Sequence, residues 1–233
     1  MPVVPERTRL RTAGPVVAAP ALWLMAWAVM RLGGHNGPGA GWTTAHALWL
    51  LGFALVPAWV AMLFRLAGDG RRSVPVITAA AVTALGALAF AGQMAIDLVA
   101  GLVAEDGADL DRISGRVADL PGVHLICYVL APPMMLLGLV ALATAAAVRG
   151  RLSWPVPALL LVGATLTGIG HSLPGVLRIV EGGGQVCLLV AAAAVAAAAA
   201  APAGPTATGS PGREGLTARA RSGAGTARRS PRT

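Results

Sequence analysis

Few side chains in this sequence could bind a metal ion or move a proton. The sequence has four histidines and two cysteines among its 233 residues. Imidazole is a good ligand for zinc, copper and haem iron, and thiolate is a good ligand for copper(I). The candidate metal ligands are His46, His124, His171 and Cys127, and of these His46 and His124 are also the candidate haem ligands. Asp97 follows a long apolar run and is the candidate catalytic acid, because ionisable groups inside a membrane are functional by default.

These residues belong to a chain that is too apolar for a soluble domain. Hydrophobic residues make up 56% of it, charged residues make up 12%, and the mean hydropathy is +0.70. A soluble domain carries about 25% charged residues. The uncharged run 44–64 meets the length of about 20 apolar residues that a helix needs to cross a bilayer of about 30 Å. The sequence therefore predicts an integral membrane protein.

Six such runs predict an all-α bundle of six transmembrane helices, which together form one transmembrane domain, 12–203. A basic segment, 1–11, precedes it. The composition of the tail, 204–233, is Gly, Pro, Ser, Thr and Arg, and it predicts disorder because such a segment buries too little apolar surface to fold. The predicted spans are 12–31, 44–64, 74–97, 122–148, 154–177 and 185–201.

The first run has a second interpretation, as a cleaved signal peptide. The tripeptide Ala26-Trp27-Ala28 resembles a small-residue cleavage site. The length of the apolar run, and its end at Met30-Arg31, favour a retained span. Both interpretations place the following loop on the outer side of the membrane.

The distribution of the arginines predicts the orientation. The chain has 18 basic residues, all of them arginine, and 14 fall on one side if the N-terminus is cytoplasmic. The positive-inside rule then places both termini in the cytoplasm. The net charge of +8 does not indicate nucleic acid, because the arginines flank the spans or lie in the tail. The expected partners are the lipid bilayer and anionic lipid at its cytoplasmic face.

Two connections in the chain carry local signals. The longest loop, 102–121, has apolar residues at three- and four-residue spacing, which predicts a short amphipathic helix on the membrane surface; they are Leu110, Ile113, Val117 and Leu120. The segment 178–184 is predicted to be a turn before the last span. Within the fourth span, consecutive prolines at 132 and 133 predict a bend.

In this topology all four histidines fall on the outer side, and the fourth is His35 in the first outer loop. One explanation is that histidine is amphipathic and suits membrane interfaces. A second is a metal or haem site. A third is a site that handles a proton or a substrate and is centred on Asp97. Cys127 and Cys187 lie at similar depth on the oxidising side, so a disulfide and two free thiols both remain open.

The positions of His46 and His124 on the second and fourth spans resemble those in cytochrome b561-like six-helix membrane proteins. The resemblance implies a haem held by these two histidines. The third span has no histidine, so a second haem has no pair of ligands here. As a whole, the chain resembles the small multi-pass membrane proteins of GC-rich bacteria, which implies a bacterial cell membrane.

Three classes of function follow from these signals. One is a membrane protein that handles a metal or haem through its outer histidines. Another is a non-enzymatic accessory or transport-related membrane protein. The third is a membrane enzyme that acts on a lipid-soluble substrate with Asp97 as its acid.

The predicted orientation can be tested by single-cysteine labelling in a protein that lacks Cys127 and Cys187. We expect positions in 67–73 and in 205–233 to be protected from a membrane-impermeant reagent, and positions in 105–119 to be labelled from outside. Labelling of position 106 only after permeabilisation would contradict this orientation.

Overall fold

The structure, a computed structural model, describes residues 6–33, 37–68 and 73–201, and the side chains from residue 13 onwards. His35 and the tail 204–233 lie outside the described residues. The helices are α1 (Glu6–Leu32), α2 (Ala40–Ala54), α3 (Val56–Ala67), α4 (Val74–Val103), α5 (Gly107–Ala118), a π-helical segment (His124–Leu130), α6 (Ala131–Val148), α7 (Pro155–Ser172), a 3₁₀ turn (Gly175–Arg178) and α8 (Ile179–Ala200). Over these described residues, the prediction of an all-α fold with six helices long and apolar enough to cross a membrane is confirmed.

The six spans close into a ring in chain order. The helix α1 packs against α2, α2 against α4, α4 against α6, α6 against α7, α7 against α8, and α8 returns to α1. The helix α3 also packs against α1, α4, α6 and α8. The second span therefore belongs to the ring in its first half and lies between the other helices in its second half.

Pro57 explains the division of the second span into α2 and α3. Proline has no amide hydrogen and its ring clashes with the carbonyl four residues before it, which is Phe53 here. The helix opens at Leu55, whose amide donates to Gly52 over 3.1 Å, and α3 restarts with Pro57 in its first turn. The predicted span 44–64 was continuous, whereas the structure has two helices covering 40–67.

The half of the bundle that contains α3 is densely packed. Val56, Trp59 and Leu63 of α3 are buried to within about 1% of their surface. The indole of Trp59 donates a hydrogen bond to the carbonyl of Val16 in α1. That carbonyl needs an outside donor, because the residue four positions later is Pro20. A side chain of α3 thus satisfies a backbone group that proline leaves unpaired in lipid.

A second pair of prolines shapes the fourth span. Pro132 and Pro133 stand in the first turn of α6 and remove two amide donors. The amide of Ala131 bonds to Ile126, five residues back, so the preceding turns widen into the π-helical segment. The bend predicted from the prolines stays a prediction, and the structure shows a change of helix type at this point. This segment carries His124, Cys127 and Tyr128.

Three glycines lie within the first turns of the last span. The predicted turn at 178–184 is wrong, because α8 begins at Ile179 and continues through Gly182, Gly183 and Gly184. A Cβ atom on Gly182 would lie 2.5 Å from the ring of Trp27, and one on Gly184 would lie 2.5 Å from Oγ1 of Thr167. These glycines therefore let α8 approach α1 and α7 closely, which is their common role between membrane helices.

The predicted amphipathic helix in the longest loop is confirmed as α5, with Leu110 buried. The carboxylate of Asp106 caps it by accepting from the amide of Asp109 over 2.8 Å. Hydrogen bonds from the side chain of Arg112 and the amide of Glu105 hold the pKa of Asp109 below its ordinary value. The stabilisation is present above that ordinary pKa and is lost as pH falls through the lowered one.

The packing of α4 on α6 generates a prediction about stability. A Cβ atom on Gly86 would lie 2.5 Å from the amide nitrogen of Met135 and 2.9 Å from the carbonyl of Ala131. We expect Gly86→Ala to lower the free energy of unfolding by about 1–3 kcal/mol, because neither backbone atom can move freely. Thermal unfolding in detergent measures it.

The matched control is Gly92→Ala on the same helix, where a Cβ atom meets nothing within 4 Å. It should leave stability unchanged or raise it slightly, since alanine favours helix. Equal Tm values for the two variants would contradict the close packing of α4 on α6.

Candidate functional site

A cavity of about 670 Å³ lies in the half of the bundle that α3 does not occupy. Its walls come from α1, α2, α4, the π-helical segment, the start of α6, α7 and α8. It is placed where α1, α4 and α7 end and where α2, the π-helical segment and α8 begin. His171 lines the cavity and its side chain is 80% exposed, so the cavity reaches the protein surface there.

Six polar residues that line the cavity form three pairs, one on each of three helices. Gln93 and Asp97 stand four residues apart on α4. Four residues bring two side chains to the same face of a helix. Three apolar helices thus turn a polar face toward one space. The other two pairs are Thr167 with His171 on α7, and Glu181 with Gln185 on α8.

Asp97 is buried, with 9% of its surface exposed. The hydroxyl of Tyr128 donates to Oδ1 of Asp97 over 3.1 Å, and the side chain of Gln93 also forms a hydrogen bond with it. Both described partners of this carboxyl group are neutral side chains. Asp97 follows the middle of a 30-residue helix and stands six residues before its end, which is about 9 Å along the axis.

His46 is also buried and belongs to an aromatic stack on α2. Its ring lies 4.1 Å from that of Trp42 and 5.3 Å from that of Trp49, measured between centroids. Nδ1 of His46 lies 2.9 Å from the carbonyl of Trp42. A carbonyl only accepts hydrogen bonds, so Nδ1 carries the proton and a neutral His46 has its lone pair on Nε2.

Aromatic rings make up much of the wall. Six of the ten aromatic residues of the chain line the cavity, and Trp42 is fixed beside the acid because its indole donates to the carbonyl of Asp97 over 2.8 Å. A Cβ atom on Gly101 would overlap the indole of Trp42, so this glycine is needed for the position of the ring. The six are Trp23, Trp42, Trp49, Phe53, Phe90 and Tyr128.

An ion pair joins α1 to α8 at the same end of the bundle. Arg31 donates to Oε2 of Glu181 over 3.2 Å, and the side chain of Glu181 is only 8% exposed. Nδ1 of His171 lies 3.7 Å from the other carboxylate oxygen, so a protonated His171 would join the pair. Side chains of α1, α7 and α8 meet at this carboxylate, although α1 is far from the other two helices in sequence.

Several buried polar atoms of the cavity wall have no hydrogen-bond partner within the described part of the chain. Two are acceptors, Oε1 of Gln93 and Oε1 of Gln185, and Gln185 is only 6% exposed. Others are the indole nitrogen of Trp23, Nε of Arg31 and Oγ1 of Thr167. Most buried polar groups are paired, so a cluster of unpaired ones marks a place for a polar ligand or water.

The structure brings some of the sequence-predicted site residues together and leaves others apart. His46, Asp97 and His171 line the cavity. His124 is exposed and stacks on Tyr128 at 6.0 Å between centroids, and neither it nor Cys127 is among the residues that line the cavity. The geometry therefore gives no support to a haem shared by His46 and His124, and that ligand pair stays a prediction.

Within the described ranges, no three His, Cys, Asp or Glu side chains are placed to hold one metal ion. Cys127 and Cys187, whose pairing the sequence left open, are both free thiols and half-buried.

Sequence reasoning missed five residues of the site. Glu181 lies in the segment predicted to be a turn, because three glycines follow it. Its partner Arg31 was therefore not considered as part of the site. The remaining three were not singled out, although each stands four residues from another polar residue in an otherwise apolar helix. They are Gln93, Thr167 and Gln185. A search for polar pairs at four-residue spacing inside apolar runs would have found them.

Comparison of the chain with family models, with curated proteins and with solved structures finds no match.

The buried ion pair generates a prediction about stability. Glu181→Gln leaves the partly buried guanidinium of Arg31 without its counter-charge, so we expect a loss of about 1–2 kcal/mol in the free energy of unfolding. Thermal unfolding of the purified protein measures it. Arg112→Gln, which breaks the exposed pair with Asp109 on α5, is the control and should change little. An equal effect of the two changes would show that the Arg31–Glu181 pair is solvated.

Proposed function

We propose that this integral membrane protein binds a small amphipathic organic molecule in its cavity, as a transport-related or accessory protein of the cell membrane. The observation that carries the proposal is the convergence of polar side chains from three apolar helices on one aromatic-lined space, with Asp97, Glu181 and Gln185 among them buried. Polar groups inside membrane helices are costly and are retained where they bind a ligand or line a path for one.

The size and the gradient of the cavity support this ligand class. Pockets for small organic molecules measure about 300–1,000 Å³ and combine apolar walls with a few convergent polar groups. The volume of about 670 Å³ lies inside that range. Asp97, His171 and Glu181 lie toward the end of the bundle, whereas Phe53 and Leu188 line the cavity closer to the middle of their spans. A ligand with a polar head and an apolar body matches that arrangement.

The orientation proposed from the arginines gives the cavity a side. With both termini in the cytoplasm, the end that carries His171 and Glu181 faces outward, and the basic turns face anionic lipid on the inner leaflet. The ligand would then enter from the outer side or from the outer leaflet.

A second candidate function is a membrane enzyme that acts on a lipid-soluble substrate. The observation that favours it is the hydrogen bond from Tyr128 to the buried Asp97, next to space that a substrate can fill. Asp97 would act as the acid and Tyr128 would position its carboxyl group. Conversion of the bound molecule, lost in Asp97→Asn while binding remains, distinguishes this candidate from a binding protein.

A metal or haem site remains the third proposal. His46 would offer Nε2 to the cavity, and His171 lines the same space, whereas the exposed His124 and the half-buried Cys127 are not part of the cavity wall. Absorbance of the purified protein tests haem through its Soret band, and elemental analysis tests zinc and copper.

The binding function can be tested by filling the cavity. Gly168 lines it and is exposed, and a Cβ atom there meets nothing within 4 Å, so Gly168→Leu adds a bulky side chain to the cavity wall without a clash at Cβ. We expect the purified wild-type protein to bind at least one of phenylbutylamine, phenylbutanol and phenylbutyrate saturably, and Gly168→Leu to abolish that binding. Tryptophan emission reports it, because Trp23, Trp42 and Trp49 line the cavity.

The matched control is Gly183→Leu on the neighbouring helix. Gly183 is exposed, has equal room for a Cβ atom and is not part of the cavity wall. Binding should survive in this variant. No saturable binding of any of the three probes, or equal binding by wild type and Gly168→Leu, would overturn the proposed function.

A further inference from the structure

We infer that the ligand of the cavity is a lipophilic organic cation, whose amine or ammonium group binds at Asp97. This inference rests on the proposed binding function and adds the charge of the ligand to it.

The two buried carboxyl groups of the cavity differ in the charge of their partners. Glu181 has a counter-charge within the protein, because Arg31 lies 3.2 Å away. The described partners of Asp97 are the hydroxyl of Tyr128 and the side chain of Gln93, which carry no charge. A buried carboxylate needs a counter-charge, and a bound cation supplies it.

Amide oxygens in the cavity wall offer further hydrogen-bond acceptors to a bound cation. Gln93 stands one turn before Asp97 on α4, and its Oε1 is buried without a partner in the described part of the chain. Gln185 of α8, which lines the same cavity, also has an unpartnered Oε1 and is more than nine-tenths buried. An ammonium group has up to three N–H donors and no acceptor, so it pairs with a carboxylate and amide oxygens together.

Aromatic rings lie next to the carboxyl group of Asp97. The indole of Trp42 is held at the carbonyl of Asp97, and the ring of Tyr128 is held at its carboxyl group. Aromatic faces attract cations, and a carboxylate with several rings is the usual environment for quaternary or alkyl ammonium groups. Trp49 and Phe90 extend the aromatic wall beyond these two rings.

The arginines that line the cavity do not counter this preference, since each is engaged by the protein. Arg31 pairs with Glu181, and Nε of Arg178 donates to the carbonyl of Leu173 over 2.8 Å. An anionic head group near Asp97 would meet a like charge instead. The apolar body of the ligand has Met94, Met135 and other side chains to contact deeper in the cavity.

The wild-type protein tests the inference with three probes that share one apolar body. Phenylbutylamine carries a positive charge at neutral pH, phenylbutanol is neutral, and phenylbutyrate is negative. Titration calorimetry in detergent gives the three dissociation constants. We expect the amine to bind about tenfold tighter than the alcohol, or better, from its charge-assisted hydrogen bonds and ring contacts, and the carboxylate to bind weakest.

The variant Asp97→Asn keeps the shape of the side chain and removes its charge. The amine should then bind no tighter than the alcohol, while the affinity for the alcohol stays within about twofold of wild type. The control is Asp111→Asn, an exposed acid on α5 outside the cavity, which should retain the preference for the amine. If Asp97→Asn does not yield folded protein, the ranking of the three probes on wild type decides alone.

The outcomes distinguish a failure of the cation inference from a failure of the proposed binding function. Saturable binding of phenylbutanol or phenylbutyrate as tight as that of the amine would overturn the inference of a cation and leave the binding function standing. An amine preference that survives Asp97→Asn would also overturn it. Absence of saturable binding by all three probes would overturn the binding function and the inference together.

Discussion

The missing amide proton of Pro57 affects the whole bundle. In lipid, a carbonyl that loses its helical donor must find another partner, or the helix must open. The second span opens at Leu55, and its two halves then take different places. The helix α3 packs against α1, α4, α6 and α8, whereas α2 stays between its neighbours in the ring. One half of the bundle is therefore filled by a seventh helical piece, and the other half keeps a cavity.

The polar residues follow this division. The filled half is sealed by aliphatic and aromatic side chains such as Trp59, Leu63 and Leu142. The half with the cavity holds the two buried carboxyl groups, the two glutamines and the ion pair. Unpaired buried acceptors cost stability, so a fold that keeps several of them in one place gives up some stability for a site. The π-helical segment belongs to the same half, and π segments are frequent at functional sites.

The class of the protein and the number of spans could be predicted from the sequence because the length and polarity of a membrane helix are fixed by the bilayer. Two of the three histidines inside the spans, together with Asp97, were expected at the same end of the bundle, and they line one cavity. Depth was predictable from position in a span. Direction around a helix was not, which is why His124 was paired with His46.

The remaining misses have a common physical origin. Glycine ends helices in water, so the run at 182–184 was interpreted as a turn. In a membrane bundle the same residue lets helices approach, and here it admits Trp27 and Thr167 against α8. The partner of Glu181 could not be derived either. Arg31 is 150 residues away in the chain, and their contact depends on the closure of the ring between α1 and α8.

That closure has a consequence for biosynthesis. Each span contacts the one before it, so most helix pairs can form as soon as the second member leaves the ribosome and enters the bilayer. The contact of α8 with α1 is different, because it joins the last span to the first and has to wait for the whole chain. Until then the guanidinium of Arg31 has no carboxylate from α8 and can extend to the water at the membrane surface. The wall that α1 and α8 give to the cavity is thus assembled last, when synthesis of the membrane domain is complete.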